Sequence, residues 1–417
     1  MVKFDLLLKG GRVLDPASDV DRQADVAIRA GRIAAVEADI PGESAASVVD
    51  ARDQLVTPGL IDLHTHVFWG VTFWGVRADP LASRSGVTTF VDAGSAGAYT
   101  LPGFREFIAK PATARIYSLL NISVLGLVAH VHELEHLDHC DTALFLRLAR
   151  LYRDLVVGVK VRMERRTLGS NGLEPLRRAR LVAEECGFPV MVHIAESPPS
   201  LEEVIGLMKP GDILTHCFTG QSMKIVDEKG RLLDAVKRAW DSGVVMDIGH
   251  GRGSFSYQTA EALAAAGHWP DVISTDLHQF SVSGPMFDLP TCLSKLLNLG
   301  MPLRQVIRSA TARPAEVLGL QHEIGSLAPG RRADIALFRL EEGRFAFHDN
   351  FGVERQGQQR LRSTLTIVDG RPLPKLPAEP LAPWIELTPL QARLIQEGHA
   401  PPFSISPDVH QALFERR

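Results

Sequence analysis

His64-Thr65-His66 closes the apolar run Val56-Thr57-Pro58-Gly59-Leu60-Ile61-Asp62-Leu63. In an extended strand, residues two apart project to the same side. Both imidazoles therefore leave one strand end together and can grip one cation, and imidazole nitrogen suits zinc and related first-row metals. Taken alone, the pair fits two ordinary strand-end histidines as well. Further polar residues recur in the same setting: Lys160 within Val156-Val157-Gly158-Val159-Lys160-Val161, His193 after Val190-Met191-Val192, His216 after Ile213-Leu214-Thr215, and Asp276 after Val272-Ile273-Ser274-Thr275. Singly, either histidine could be a core imidazole bonded to a carbonyl, and Asp276 a helix N-cap. Their joint recurrence at run ends points to one shared site. Lys160 carries a separate argument. A buried, unpaired ammonium is prohibitive, so the amine must deprotonate, find a partner, or snorkel to solvent. One partner is CO2, which converts the amine to a carbamate whose two oxygens can bridge two cations.

Positioning such a set requires elements that end together. Between residues 57 and 320, β-branched runs alternate with helical sequence. The strands read as Leu60–His66, Val87–Asp92, Ile116–Ser123, Val156–Arg162, Val190–His193, Ile213–His216, Val244–Ile248 and Val272–Asp276, with helices such as Leu144–Arg153, Leu173–Cys186, Arg231–Ser242 and Thr259–Ala266. Eight strands at a spacing of about thirty residues are what an α/β (β/α)8 TIM barrel requires, and barrel chemistry gathers at strand C-termini. A doubly wound sheet would carry a Gly-rich dinucleotide turn after a strand, and none is present.

Both flanks read as β. Short strands at Phe4–Leu8, Arg12–Leu14, Asp25–Ile28 and Ile33–Val36 are punctuated by Gly10-Gly11 and Ala30-Gly31-Arg32 as turns, and strands return at Ala333–Phe338 and Leu365–Val368 before an Asp369-Gly370 turn. We expect residues 1–56 and 322–375 to form one discontinuous β-sandwich domain, residues 57–321 the catalytic barrel, and the Pro-rich residues 376–417 a tail packed on the surface.

The 417-residue chain has a net charge of -4 and 45% hydrophobic residues. It therefore lacks a basic footprint for nucleic acid or anionic membranes. No apolar run spans a bilayer, and the first ten residues are too interrupted for a signal peptide. Cys140, Cys186, Cys217 and Cys292 are scattered without CxxC spacing, as expected of reduced, buried thiols. A cytoplasmic protein is expected; homo-oligomerisation stays open.

The segment Pro58-Gly59-Leu60-Ile61-Asp62-Leu63-His64-Thr65-His66 resembles the opening metal motif of the amidohydrolase superfamily, and the later lysine, histidines and aspartate fall in that family's order. Gly325–Asp334 resembles its re-entry into the terminal β-sandwich. The resemblance covers most of the chain. It implies two zinc ions, or other divalent transition metals, bridged by carboxylated Lys160 and a hydroxide. His64, His66, Lys160 and Asp276 would hold one; Lys160, His193 and His216 the other. Two such cations bring water's pKa to about 7, with Asp276 as the catalytic proton carrier. The layout is most similar to the dihydroorotase, hydantoinase and deacetylase branch. Dihydroorotases usually place an arginine two residues after the second histidine, where this chain has Phe68.

That resemblance favours deacetylation of a small N-acyl or O-acyl carboxylate, a small-molecule acyl substrate. Ring opening of a cyclic amide is the rival among enzymes, and a non-catalytic barrel scaffold the rival outside them. For substrate contacts, Arg162 lies two residues past Lys160 on the same strand face and could meet a carboxylate. His250 and Arg252 lie in the glycine-rich Gly249-His250-Gly251-Arg252-Gly253, and His278 lies two past Asp276. Phe68, Trp69, Phe73 and Trp74 could wall an apolar group or simply pack their loop.

Overall fold

Two kinds of apolar pattern sort this chain into two sheets. The computed structural model describes residues 2–128, 130–377 and 381–398. In chain order the strands are β1 (Phe4–Asp15), β2 (Val20–Arg29), β3 (Arg32–Glu37), β4 (Ala45–Asp50), β5 (Leu55–Pro58), β6 (Leu60–Thr65), β7 (Val87–Ala93), β8 (Arg115–Asn121), β9 (Val156–Met163), β10 (Val190–Ile194), β11 (Ile213–Thr215), β12 (Val245–Asp247), β13 (Ile335–His348), β14 (Glu354–Val368) and β15 (Arg371–Pro372).

The terminal strands form one eight-stranded sheet, ordered β15-β14-β13-β5-β1-β2-β3 with β4 also on β1. Strand β5 is the seam. Val56 pairs in parallel with Val13 of β1 and antiparallel with Leu337 of β13. Leu8, Val13, Val26, Ile28, Val56, Ile335 and Ile367 share the core beneath it. Two sequence expectations need correction here. Gly10-Gly11 is not a turn but a bulge inside β1: the register slips between Leu8 and Gly11, and Gly10 takes φ +76°. An extra residue in a ladder is easiest to place where glycine adopts the left-handed region. The strands expected at 333–338 and 365–368 are the inner ends of a much longer hairpin, β13–β14. Its outer half is charged, and cross-strand ion pairs such as Arg360–Glu341 at 2.7 Å replace the apolar pairs that reveal a strand in sequence.

The second sheet is parallel throughout and runs β12-β11-β10-β9-β8-β7-β6. These Val/Ile/Leu-rich strands are buried on both faces, as parallel strands covered by helices must be. Its two outer strands engage one segment. Val272 bridges Asp247 and Leu277 bridges Thr65, both in parallel sense. The amide of Asp276 donates to the His64 carbonyl at 2.7 Å. The stretch Val272–Asp276, expected as a strand, is not one. Ser274 and Thr275 spend their hydroxyls on Asp247 and Asp62, and Asp276 adopts φ +51°, which no ladder accommodates.

Helices fall within a few residues of expectation: Thr142–Leu151, Glu174–Cys186, Asp234–Asp241 and Tyr257–Ala265. The second buries Leu176, Ala179, Val182, Ala183 and Cys186, a helical stripe, and stops at Gly187 in the left-handed region. All four cysteines are buried and free. Of the expected surface tail, residues 378–380 and 399–417 lie outside the described residues. Gln391, in the helix Pro389–Gln396, donates to the carbonyls of Phe280 and Gly284 at 2.7 and 2.9 Å. Among the described residues, no helix is long and apolar enough to cross a membrane.

Candidate metal centre

The C-terminal ends of the parallel strands bring the predicted ligands together. His64 and His66 leave β6, and Asp276 faces them from the segment that touches both sheet edges. Asp276 Oδ1 lies 3.0 Å from His66 Nε2 and 3.4 Å from His64 Nε2. These three buried residues offer ligand atoms within 4.8 Å of one another, so they could hold a metal ion. Lys160, on β9, is fully buried with Nζ 3.0 Å from the same His64 Nε2. His193 and His216 meet beside them: His216 Nε2 lies 2.8 Å from His193 Nδ1, and the His64 and His216 ring centroids are 5.1 Å apart. Among the described residues, His193 Nε2 is buried with no hydrogen-bond partner.

Each imidazole is aimed by what its far nitrogen meets. His64 Nδ1 sits 2.8 Å from Thr215 Oγ1, which itself donates to Asp247. His66 Nδ1 sits 2.9 Å from Ser95 Oγ, and His216 Nδ1 donates to the Gly249 carbonyl at 2.7 Å. Such partners fix ring orientation and present Nε2. Close approach explains the glycines. A Cβ on Gly249 would come 2.9 Å from both His216 Nδ1 and His64 Nδ1, and one on Gly251 would come 2.3 Å from Asp276 Oδ2. His216 and Asp276 both take positive φ, at 67° and 51°. Such strain in non-glycine residues clusters at functional sites.

The electrostatics suit cation binding. Burial holds His66 and His216 down to about 4, and His64 and His193 well below the usual range, so all four rings are neutral at pH 7 and able to ligate. Burial pushes Lys160 down to about 7, which makes a free, nucleophilic amine accessible near neutrality. Burial works against ionised Asp276, but His64, His278 and His66 outweigh it and hold the carboxyl well below its ordinary value.

A cavity of about 330 Å³ opens onto His66, Lys160, His193 and Asp276. Its walls revise the expected substrate contacts. Arg162 reaches the cavity with one fork committed: its Nε and Nη2 donate to both oxygens of buried Glu133 at 2.6 and 2.7 Å, and Nη2 also donates to the His130 carbonyl at 2.8 Å. His250 does not face the cavity. It is fully buried, with Nε2 2.7 Å from Lys295 Nζ and Nδ1 donating to the Gly251 carbonyl. Phe68 is buried edge-on against Phe104, and Trp69 lies outside, beneath the Arg77 guanidinium. Arg252 and His278 do line the cavity. Arg252 lies over the Phe280 ring, and no ion pair of its guanidinium occurs among the described residues. His278 Nδ1 accepts from the Phe280 amide, which leaves Nε2 as the nitrogen that bears a proton, 3.7 Å from Asp276 Oδ2.

Sequence reasoning named Trp74 only as one of a cluster, and left out Phe280, His130, Asp247, Glu133 and Glu164. The aromatic wall is Trp74, stacked 5.0 Å from His66 and tilted against His278, with Phe280 and His130 completing it. Trp74 was visible in the cluster after the first ligands, but nothing in sequence separates the ring that turns inward from Trp69, which turns out. Asp247 ends β12 and buttresses His64 through Thr215; its place at a strand end was a usable signal. Glu133 lies in an irregular segment and has no periodic signal at all. Glu164 shares the β9 face with Lys160 and Arg162 by two-residue spacing, and that signal was available.

The Amidohydrolase family profile matches residues 55–372. The chain is 38% identical over 324 residues to a deacetylase of Agrobacterium fabrum, covering 77% of this chain and 79% of that one. It is 34% identical over 371 residues to a deacetylase of Enterococcus faecalis, covering 88% and 98%. A crystal structure titled an adenine deaminase superposes with a TM-score of 0.83 at 34% identity, over 89% of this chain and 99% of that one. The chain belongs to the Amidohydrolase family and is a hydrolase of that family.

Proposed function

We propose that the protein is a binuclear, metal-dependent deacetylase acting on small N-acyl or O-acyl carboxylates. On this reading the curled parallel sheet and the segment 272–277 together make a (β/α)8 barrel over residues 57–321, and residues 1–56 with 322–375 form a β-sandwich. His64, His66 and Asp276 would hold one cation, zinc or a similar divalent metal, with His193 and His216 holding the second and carboxylated Lys160 bridging them. The chemistry such cations supply is a water acidified to a pKa of about 7 and a polarised scissile carbonyl. Asp276, kept ionised by its imidazole neighbours, accepts the proton of the attacking water and delivers it to the leaving nitrogen or oxygen. His278 steadies Asp276 through Nε2–H. Trp74 and Phe280 shield the cleft from solvent, and Arg252 meets the substrate's carboxylate.

The observation that carries this reading is the convergence of His64, His66, Asp276 and Lys160 in one buried cluster beneath a cavity. The relatives named deacetylases support the acyl specificity. Ring opening or deamination is the competing reading, favoured by the likeness to the structure titled an adenine deaminase. Metal-loaded enzyme assayed on N-acetyl amino acids, O-acetyl hydroxy acids, cyclic ureides and adenine decides. Turnover of acetyl carboxylates is expected; turnover of ureides or adenine alone overturns the proposal.

A further inference from the structure

Three residues of β9 and its C-terminal extension rise along one face. Lys160 reaches the metal cluster, Arg162 stands above it, and Glu164 stands above that. At about 3.3 Å per residue, Glu164 begins about 13 Å further along the strand direction than Lys160. Arg162 is neutralised by Glu133. Glu164 differs. Its side chain is 1% exposed, and Oε2 accepts from Arg166 Nε at 3.2 Å. Its Oε1 is buried, has no hydrogen-bond partner among the described residues, and belongs to a residue lining the cavity. A buried carboxylate oxygen without a donor costs free energy that a bound donor would recover. Gln221, which also lines the cavity, repeats the pattern: Nε2 donates to the Gly253 carbonyl, while Oε1 is buried with no partner among the described residues. This cleft thus presents buried acceptors that lack donors, and Glu164 places one of them well beyond Lys160.

We infer that Glu164 is a specificity residue that reads a hydrogen-bond donor, a hydroxyl or an ammonium, on the part of the substrate furthest from the scissile acyl group. This rests on the deacylase reading and deepens it. The substrate becomes an acylated carboxylate with a polar tip, its anionic group toward Arg252 and its donor toward Glu164 Oε1. An apolar tip would strand the carboxylate oxygen and be rejected.

The test uses Nα-acetyl amino acids that differ only at the tip. Nα-acetyl-lysine, its 6-hydroxy analogue and its methyl-tipped analogue form one isosteric set; the corresponding compounds one methylene shorter form a second. Wild-type metal-loaded enzyme is expected to prefer a donor tip over methyl by at least about tenfold in kcat/KM in one set. Preference for ammonium over hydroxyl identifies a cationic tip; the reverse order identifies a neutral one. Glu164→Leu should bring the ratio to about one with the methyl-tipped compound still hydrolysed. Glu164→Gln, isosteric and safe for folding, should keep hydroxyl preference and lose any ammonium advantage. A ratio near one in wild type for both sets, or a ratio unmoved by either substitution, overturns the inference. Calorimetric binding of the same compounds separates the two layers. A binding ratio without hydrolysis overturns deacylation but keeps the subsite; hydrolysis without a ratio overturns the subsite alone.

Discussion

Two lysines lie fully buried in this protein, and their surroundings are opposite. Lys295, in the helix Leu289–Asn298, has its Nζ 2.7 Å from His250 Nε2 and donates to the carbonyls of Pro285 at 2.8 Å and His348 at 2.7 Å. Three good acceptors saturate three N–H bonds. Among the described residues, Lys160 finds only His64 Nε2, itself a candidate ligand, and the Met191 sulfur at 3.4 Å, a weak acceptor. Both amines are lowered by burial, to about 8 and about 7. Burial therefore does not distinguish them; the partners do. Lys295 is a brace. It ties His250 and the approach of the β13–β14 hairpin to the loop beneath Asp276, where Asn350 also donates to the Gly251 carbonyl at 3.2 Å. Among the described residues Lys160 is left short of acceptors, as the proposed bridging role requires.

Substitution should pull the two lysines apart. Lys160→Met is expected to drop turnover by at least about 10³-fold and to lower bound metal, with little loss of folding stability. Metal stoichiometry and thermal melts check both halves. Asp276→Asn should lower kcat by about 10³-fold while folding is kept, because on the proposed mechanism this carboxylate carries the proton. Unchanged kcat would sink its assigned role. Lys295→Met strands two carbonyls and an imidazole nitrogen, and should cost about 2–4 kcal/mol in denaturant unfolding without altering metal stoichiometry. Loss of metal there would erase the contrast between brace and bridge. Asp247→Ala, which frees Thr215 and so His64, should weaken metal affinity by about 10–100-fold in a chelator competition.

The smallest effect is in pH. Lys295 titrates near 8 when folded and near its ordinary 10.5 when unfolded. Between those values the unfolded chain binds more protons, so stability rises with pH there. The penalty of the buried charge is full below pH 8 and fades above it. Relative to Lys295→Met, the wild type should gain about 1–2 kcal/mol between pH 8 and 9.5. A flat difference would show that Lys295 keeps its proton throughout.

What the sequence revealed follows the same division. The convergence of His64, His66, Lys160, His193 and His216 was legible because strand alternation places chemistry at run ends; Asp276 stood out as a polar residue closing an apolar run, although that run is not a strand. Strands buried on both faces were legible for the same reason. The outer half of β13–β14 was not, since ion pairs there do the work of apolar pairing. Nor was the fate of Arg162: its partner Glu133 lies in an irregular segment, and only the fold brings the two within hydrogen-bond reach. His250 misled because a glycine-rich loop reads as open, whereas here glycines let the backbone press against His64, His216 and Asp276. Long-range partnership, not local propensity, decides which polar residues are free to act.

The central claim is that Lys160, unlike Lys295, joins a metal pair. Anomalous X-ray scattering from a crystal of the metal-loaded protein tests it directly. Two peaks are expected, one among His64, His66 and Asp276 and one at His193 and His216, with carbamate density continuous from Lys160 Nζ between them. Bare amine density at Lys160, with no anomalous peak beside it, would contradict the claim.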